Sequence, residues 1–200
     1  MTTWVDNPEG GRARGPDAVA RAWAEVLVRP VRFFRTGIAP GDQAPGLVFG
    51  VCVAVAFVGG RFLLDPATIP SAFGGPAISS IVSLLFVAVF IAPASLHLTA
   101  ALQTVLLILF VRDRAGISET VQVIAYASAP CALAGAPIPS LRAACALYGT
   151  GLLVVGIREV HETKTWRAVA ATAVPATLVF GYGFRGFDAI ATLLTRWYIV

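Results

Sequence analysis

His161 and Glu162 begin a pattern that, completed as His-Glu-x-x-His on a helix, would hold zinc beside a glutamate general base. The second histidine would fall at position 165, which is Thr165, so the ligand set is incomplete. A serine nucleophile needs an activating histidine. Ser128 and His97 offer those two groups, but the Gly-x-Ser-x-Gly turn that exposes a nucleophile is absent. Cys52, Cys131 and Cys145 stand in apolar runs without Cys-x-x-Cys spacing, the setting of small packing residues rather than redox or metal groups. The expectation is a protein that is not an enzyme and has no metal or cofactor.

Two other sets of polar residues invite interpretation. Tyr126 and Pro130 stand four apart, so within a helix the carbonyl freed by Pro130 is that of Tyr126, and a bend is expected there. That bend serves either as a ligand-facing point or as a packing kink. His97, Gln103 and Gln122 lie deep in apolar sequence without Asp or Glu at comparable depth, which suits interhelical hydrogen bonds better than a proton path. The run from Arg158 to Arg167 alternates in sign. It reads as a solvated loop, and Arg158, Glu159, His161 and Glu162 within it are the candidate partner-contact residues.

The elements that carry these residues are dictated by composition. Hydrophobic residues make up 57% of the 200 and charged residues 13%, with a mean hydropathy of +0.78. A soluble domain carries roughly a quarter charged residues. Between positions 45 and 182 the charges cluster at breaks between apolar runs of membrane-crossing length, because a charge at the bilayer centre costs about 3 kcal/mol or more. The net charge of +4 comes from basic residues near those breaks, not from a groove with interleaved aromatics, so nucleic acid is not an expected partner.

Residues 1–16 read as a disordered tail. In residues 17–36, Asp17, Arg21, Glu25, Arg29, Arg32 and Arg35 recur at helical spacing opposite Val19, Trp23, Val26, Leu27, Val31 and Phe34. This predicts an interfacial amphipathic helix, bent at Pro30, with Arg21, Arg29, Arg32 and Arg35 facing anionic lipid. A membrane domain over 45–184 follows, with spans near 45–64, 78–111, 119–136, 140–157 and 168–182. The second would be about 51 Å long against a hydrocarbon core of about 30 Å, so it is expected to run as one helix kinked at Pro93. Residues 185–200 predict a second interfacial helix, with Trp197 and Tyr198 at head-group level. The expected fold is therefore all-α: an integral membrane bundle of five transmembrane helices flanked by amphipathic helices at both termini. With the N-terminus inside, 11 of the 15 basic residues fall on the cytoplasmic side and four outside. The positive-inside rule then sets the N-terminus in the cytoplasm and the C-terminus outside a cell membrane.

The stretch 116–168 carries an ordered set of features: Tyr126 four before Pro130, a turn at Pro137 and Pro139, Tyr148 in the next apolar run, and Gly156-Ile-Arg-Glu-Val-His161 at its exit. This set resembles the Yip-type domain, named for Ypt/Rab-interacting membrane proteins. The resemblance implies a small helical membrane protein with a cytoplasmic N-terminus, associated in eukaryotic relatives with Rab-type GTPases and traffic between endoplasmic reticulum and Golgi. Those relatives carry Asp-Leu-aromatic-Gly-Pro before the first span, whereas this chain has Arg29-Pro-Val-Arg-Phe-Phe-Arg35. That departure puts Rab binding in question and points to a prokaryotic-type member. The expected function is docking of a cytoplasmic partner or organisation of lipid by a protein that can form homo-oligomers. A small oligomeric transporter or channel is the alternative, against which the lack of midplane charge argues.

Overall fold

The computed structural model describes residues 15–197, so most of the expected tail, together with Tyr198, lies outside the described residues. Helix is the regular structure of the described residues, with no strand among them. Helix α1 (Pro16–Val28) and helix α2 (Pro30–Thr36) each begin on a proline, whose missing N–H costs nothing in a first turn. Arg29 breaks the line between them at φ −135°, so the bend expected at Pro30 is present.

Helix α1 does not lie flat on its own. Ala18, Ala22 and Val26 are buried against the bundle, and the Trp23 indole N–H donates to the Ala129 carbonyl at 2.8 Å. Its first turn shares a groove with Cys52, Val53 and Ala56 of the helix Ala44–Leu64 and with Ala132 of a later turn. The apolar face read from sequence is thus filled by protein. Arg21, Arg29, Arg32 and Arg35 remain exposed.

Helix α3 (Ala44–Leu64) leads through a proline-rich turn to a continuous helical rod, Pro76–Phe110. The rod comprises α4 (Pro76–Phe86), a π-helical turn (Val87–Ile91) and α5 (Ala92–Phe110). The amide of Ala92 reaches back to the Val87 carbonyl, an i to i+5 bond just ahead of Pro93, and this widened turn accommodates the donor that Pro93 lacks. The single long helix expected here is therefore present. His97 is exposed and bonds the Pro93 carbonyl of its own helix at 2.8 Å, not a neighbouring helix.

The rest of the bundle consists of α6 (Ile117–Ala127), a 3-10 turn (Ala129–Leu133), α7 (Pro139–Val160), α8 (Thr165–Ala176) with a π-helical end (Thr177–Gly183), and α9 (Gly186–Arg196). Among the described residues, three helices are long and apolar enough to cross a membrane: α3, the Pro76–Phe110 rod and α7. The expectation of five is corrected to three on that measure. The reason lies in the two missing segments. Helix α6 stops after 11 residues, at the bend created by Pro130, and every residue from Glu119 to Cys131 is covered by protein. Helix α8 opens with Trp166 and Arg167 and carries Thr172, Pro175 and Thr177, which dilute its apolar character.

Segment 117–135 nevertheless accompanies α3 along its length. A Cβ on Gly46 would stand 2.8 Å from the Gln122 Cα, and one on Gly135 would stand 2.4 Å from the Phe57 carbonyl oxygen. Glycine is required at both ends of this contact because only hydrogen fits between the two backbones. In the middle, Tyr126 is fully buried between Phe33 and Phe49, each ring centroid 4.9 Å away. Across the bundle, the Gln103 side-chain amide donates to the Ala171 carbonyl at 2.8 Å, tying α5 to α8.

Candidate functional site

The end of the bundle at which α3 begins gathers the termini of several helices. Helix α2 is pinned there by Phe33 and Phe34, both buried, with Phe33 edge-on to Tyr126. The strand-free stretch after α2 is fastened by Gln122, whose side-chain oxygen accepts from the Ala39 amide at 3.2 Å while its nitrogen donates to the Ala39 carbonyl at 2.7 Å. Glu119 accepts the Gly41 amide at 3.3 Å. Both acceptors stand on the first turns of α6, about one helical turn apart, and so address Ala39 and Gly41, two residues apart in the same stretch.

His161 caps α7 at 2% exposure. Its Nδ1 accepts the Ala115 amide at 3.1 Å, which leaves the proton on Nε2, 3.5 Å from the Thr120 hydroxyl oxygen. The Thr120 hydroxyl in turn donates to the Gly116 carbonyl at 3.0 Å. This chain of bonds needs a neutral ring. Burial, with a smaller contribution from the nearby Arg114 charge, lowers the imidazole pKa from 6.5 to about 4.

Neighbouring side chains form the rim of the bundle. Glu159 receives the Arg35 guanidinium Nε at 2.5 Å and also pairs with Arg158. The Glu159 side chain is only 7% exposed and that of Arg35 is 66% exposed, so the pair joins α7 to α2 at the rim of the bundle. Glu162 occupies the left-handed region at φ 45°, where the Thr163 amide closes the end of α7 on the Arg158 carbonyl at 3.1 Å. Glycine is the usual residue at such a helix stop. Holding a glutamate there costs about 1 kcal/mol.

These groups border an open cleft of about 750 Å³ whose walls include Phe34, Ile38, Arg35, Arg158, Glu159 and Glu162. Of the four candidate contact residues, Arg158, Glu159 and Glu162 meet at this cleft, and His161 is turned inward as a clasp. Among the motif positions, Tyr126 and Pro130 are core residues. Pro137 is exposed in the turn, and Pro139 starts α7. The Tyr148 hydroxyl donates to the Leu27 carbonyl at 2.5 Å, holding α1 on α7. A Cβ on Gly156 would stand 2.6 Å from Val123 Cγ1, so this glycine sets the approach of α7 to α6. Sequence reasoning missed Arg35 as the partner of Glu159, 124 residues away. Only opposite charge linked the two in the sequence.

Among the described residues, no group of three or more His, Cys, Asp or Glu side chains is placed to hold a metal ion. No curated protein and no solved structure gives a significant match to the chain. The family model described as Yip1 domain matches residues 24–184, which contain α3 to α8, the buried Tyr126 and the whole wall of the cleft. With three helices suited to crossing a bilayer and a match over most of its length, the chain belongs to the Yip1 domain family of membrane proteins.

Proposed function

We propose that the protein is a non-enzymatic adaptor of a cell membrane, which docks a cytoplasmic partner at the cleft between α2 and the end of α7. The observation that carries this reading is the cleft itself: its charged wall is already ordered by the Arg35, Glu159 and Arg158 contacts, so a partner meets a preformed surface. The strained backbone at Glu162 supports it, because an exposed carboxylate is kept where glycine would be easier. The excess of basic residues at the breaks on this side supports a cytoplasmic cleft by the positive-inside rule.

The test uses a photo-crosslinker at Thr163 in native membranes, with and without Glu162→Lys. A specific protein captured by the parent and lost on charge reversal, at unchanged membrane level, supports docking. Equal capture by both proteins refutes the assignment of this wall. Solute flux through purified protein in liposomes would favour the oligomeric transporter instead.

A further inference from the structure

We propose that α1 is the contact through which two copies of this chain pair, laid antiparallel across a two-fold axis. Along its outer side Asp17, Arg21, Glu25 and Arg29 follow one another at intervals of four residues, and so share one helical face. Their signs alternate: minus, plus, minus, plus. Read in the opposite direction the row is plus, minus, plus, minus. A second copy laid antiparallel therefore sets Arg21 against the partner's Glu25, and Asp17 against the partner's Arg29. Every opposed pair has opposite sign, and the patch is the same on both copies, as a two-fold contact requires. A parallel copy would set like charge on like charge.

The row is not satisfied within the chain. Intervals of four suit ion pairs along a helix. Yet no salt bridge among the described residues includes any of the four. One Glu25 oxygen is buried without a hydrogen-bond partner, so this carboxylate lacks a donor of the kind a guanidinium supplies. The adjoining row, Ala20, Ala24 and Val28, is exposed too, and its small side chains let a second backbone come close enough for the charges to meet. The position of α1 also calls for a protein cover. Its first turn shares a groove with Cys52, Val53 and Ala56, in the middle third of α3, and the Leu27 carbonyl is held by Tyr148, in the middle third of α7. Both are helices long and apolar enough to cross a membrane. A charged face beside their middle finds no partner in hydrocarbon, whereas a second copy supplies one for each charge. Ala18, Ala22 and Val26, buried on the opposite side, already hold this face outward, so pairing needs little ordering.

Full-length protein carrying two different tags, co-expressed and captured through one tag from mild detergent, tests the pairing. The parent should bring down its other-tagged copy. Arg21→Glu alone and Glu25→Arg alone each turn both central pairs into like charges, and each should lower capture of its own kind by about tenfold or more. Co-expressed with one another, the two variants again oppose unlike charges, and capture should return to within about twofold of the parent. A substitution that merely damaged the fold would not be repaired by a second damaged copy. Lys164→Glu, a charge reversal away from α1, should leave capture unchanged. The proposal is overturned if parent copies do not co-purify, if either single variant pairs like the parent, or if the mixture stays unpaired. Loss of bound anionic lipid on charge reversal, with capture unchanged, would assign the face to lipid and overturn it as well. Helix α1 does not line the docking cleft, so crosslinking at Thr163 and this pairing stand or fall separately.

Discussion

The Pro76–Phe110 rod and the segment 117–135 solve opposite problems. The rod presents Ile81, Leu85, Phe86, Val89, Phe90, Leu98 and Leu109 outward, each at least half exposed, and buries little of itself in protein. Segment 117–135 is enclosed by α3, α5 and α7 and carries Glu119, Thr120, Gln122 and Ser128, all buried. A lipid-facing helix can satisfy a polar group only within itself, as His97 does on the Pro93 carbonyl, and its free face is otherwise apolar. An enclosed helix can carry polar groups because nearby backbone satisfies them, from another segment as Ala39 does for Gln122, or from the same one as Ala125 does for Ser128. Apolar composition therefore reports contact with lipid, and it under-reports elements that protein surrounds.

The largest test of this contrast is Tyr126→Ala against Phe90→Ala. Removing the buried ring should cost about 4 kcal/mol in thermal unfolding in mild detergent, whereas removing the lipid-facing one should cost less than about 0.5 kcal/mol. Equal effects would break the comparison. Acid provides a second test, confined to the enclosed region. The His161 ring stays neutral in the folded protein down to about pH 4, while the unfolded chain takes up its proton near pH 6.5. Stability is then complete above pH 6.5 and falls by about 3 kcal/mol as the pH drops toward 4. His161→Gln, followed in the same pH series, should flatten that decline. Gln122→Leu should follow, at about 2 kcal/mol, because it strands both backbone groups of Ala39. The smallest effect is expected at the rim. Glu162→Gly should raise stability by about 1 kcal/mol by relieving the left-handed backbone, while weakening capture of the partner. A loss of stability would show that the Glu162 side chain serves the fold.

Much of this was legible in the chain. The breaks at Pro30 and Pro130 and the irregular turn ahead of Pro93 follow from a missing donor, a local property of proline. The turn at Pro137 and Pro139, the hydrophilic breaks and the Yip-type feature set are likewise local or ordered along the sequence. The number of lipid-exposed helices was not legible, because it depends on which apolar segments acquire protein neighbours. Nor was the inward turn of His161: its spacing from Arg158 and Glu159 placed all three in one hydrophilic loop, and only the approach of Ala115 and Thr120 gave the ring its partners.

The residues alone determined that this is a helical membrane protein whose charges gather at the helix breaks, since the cost of charge in hydrocarbon acts on every residue wherever the chain lies. The tertiary structure decided that α1 packs on the segment 117–135, that Arg35 meets Glu159 across 124 positions, and that the charged cleft forms between α2 and the end of α7. Those outcomes depend on the close approach of distant backbones, which glycines such as Gly46 and Gly135 permit and hydropathy cannot specify.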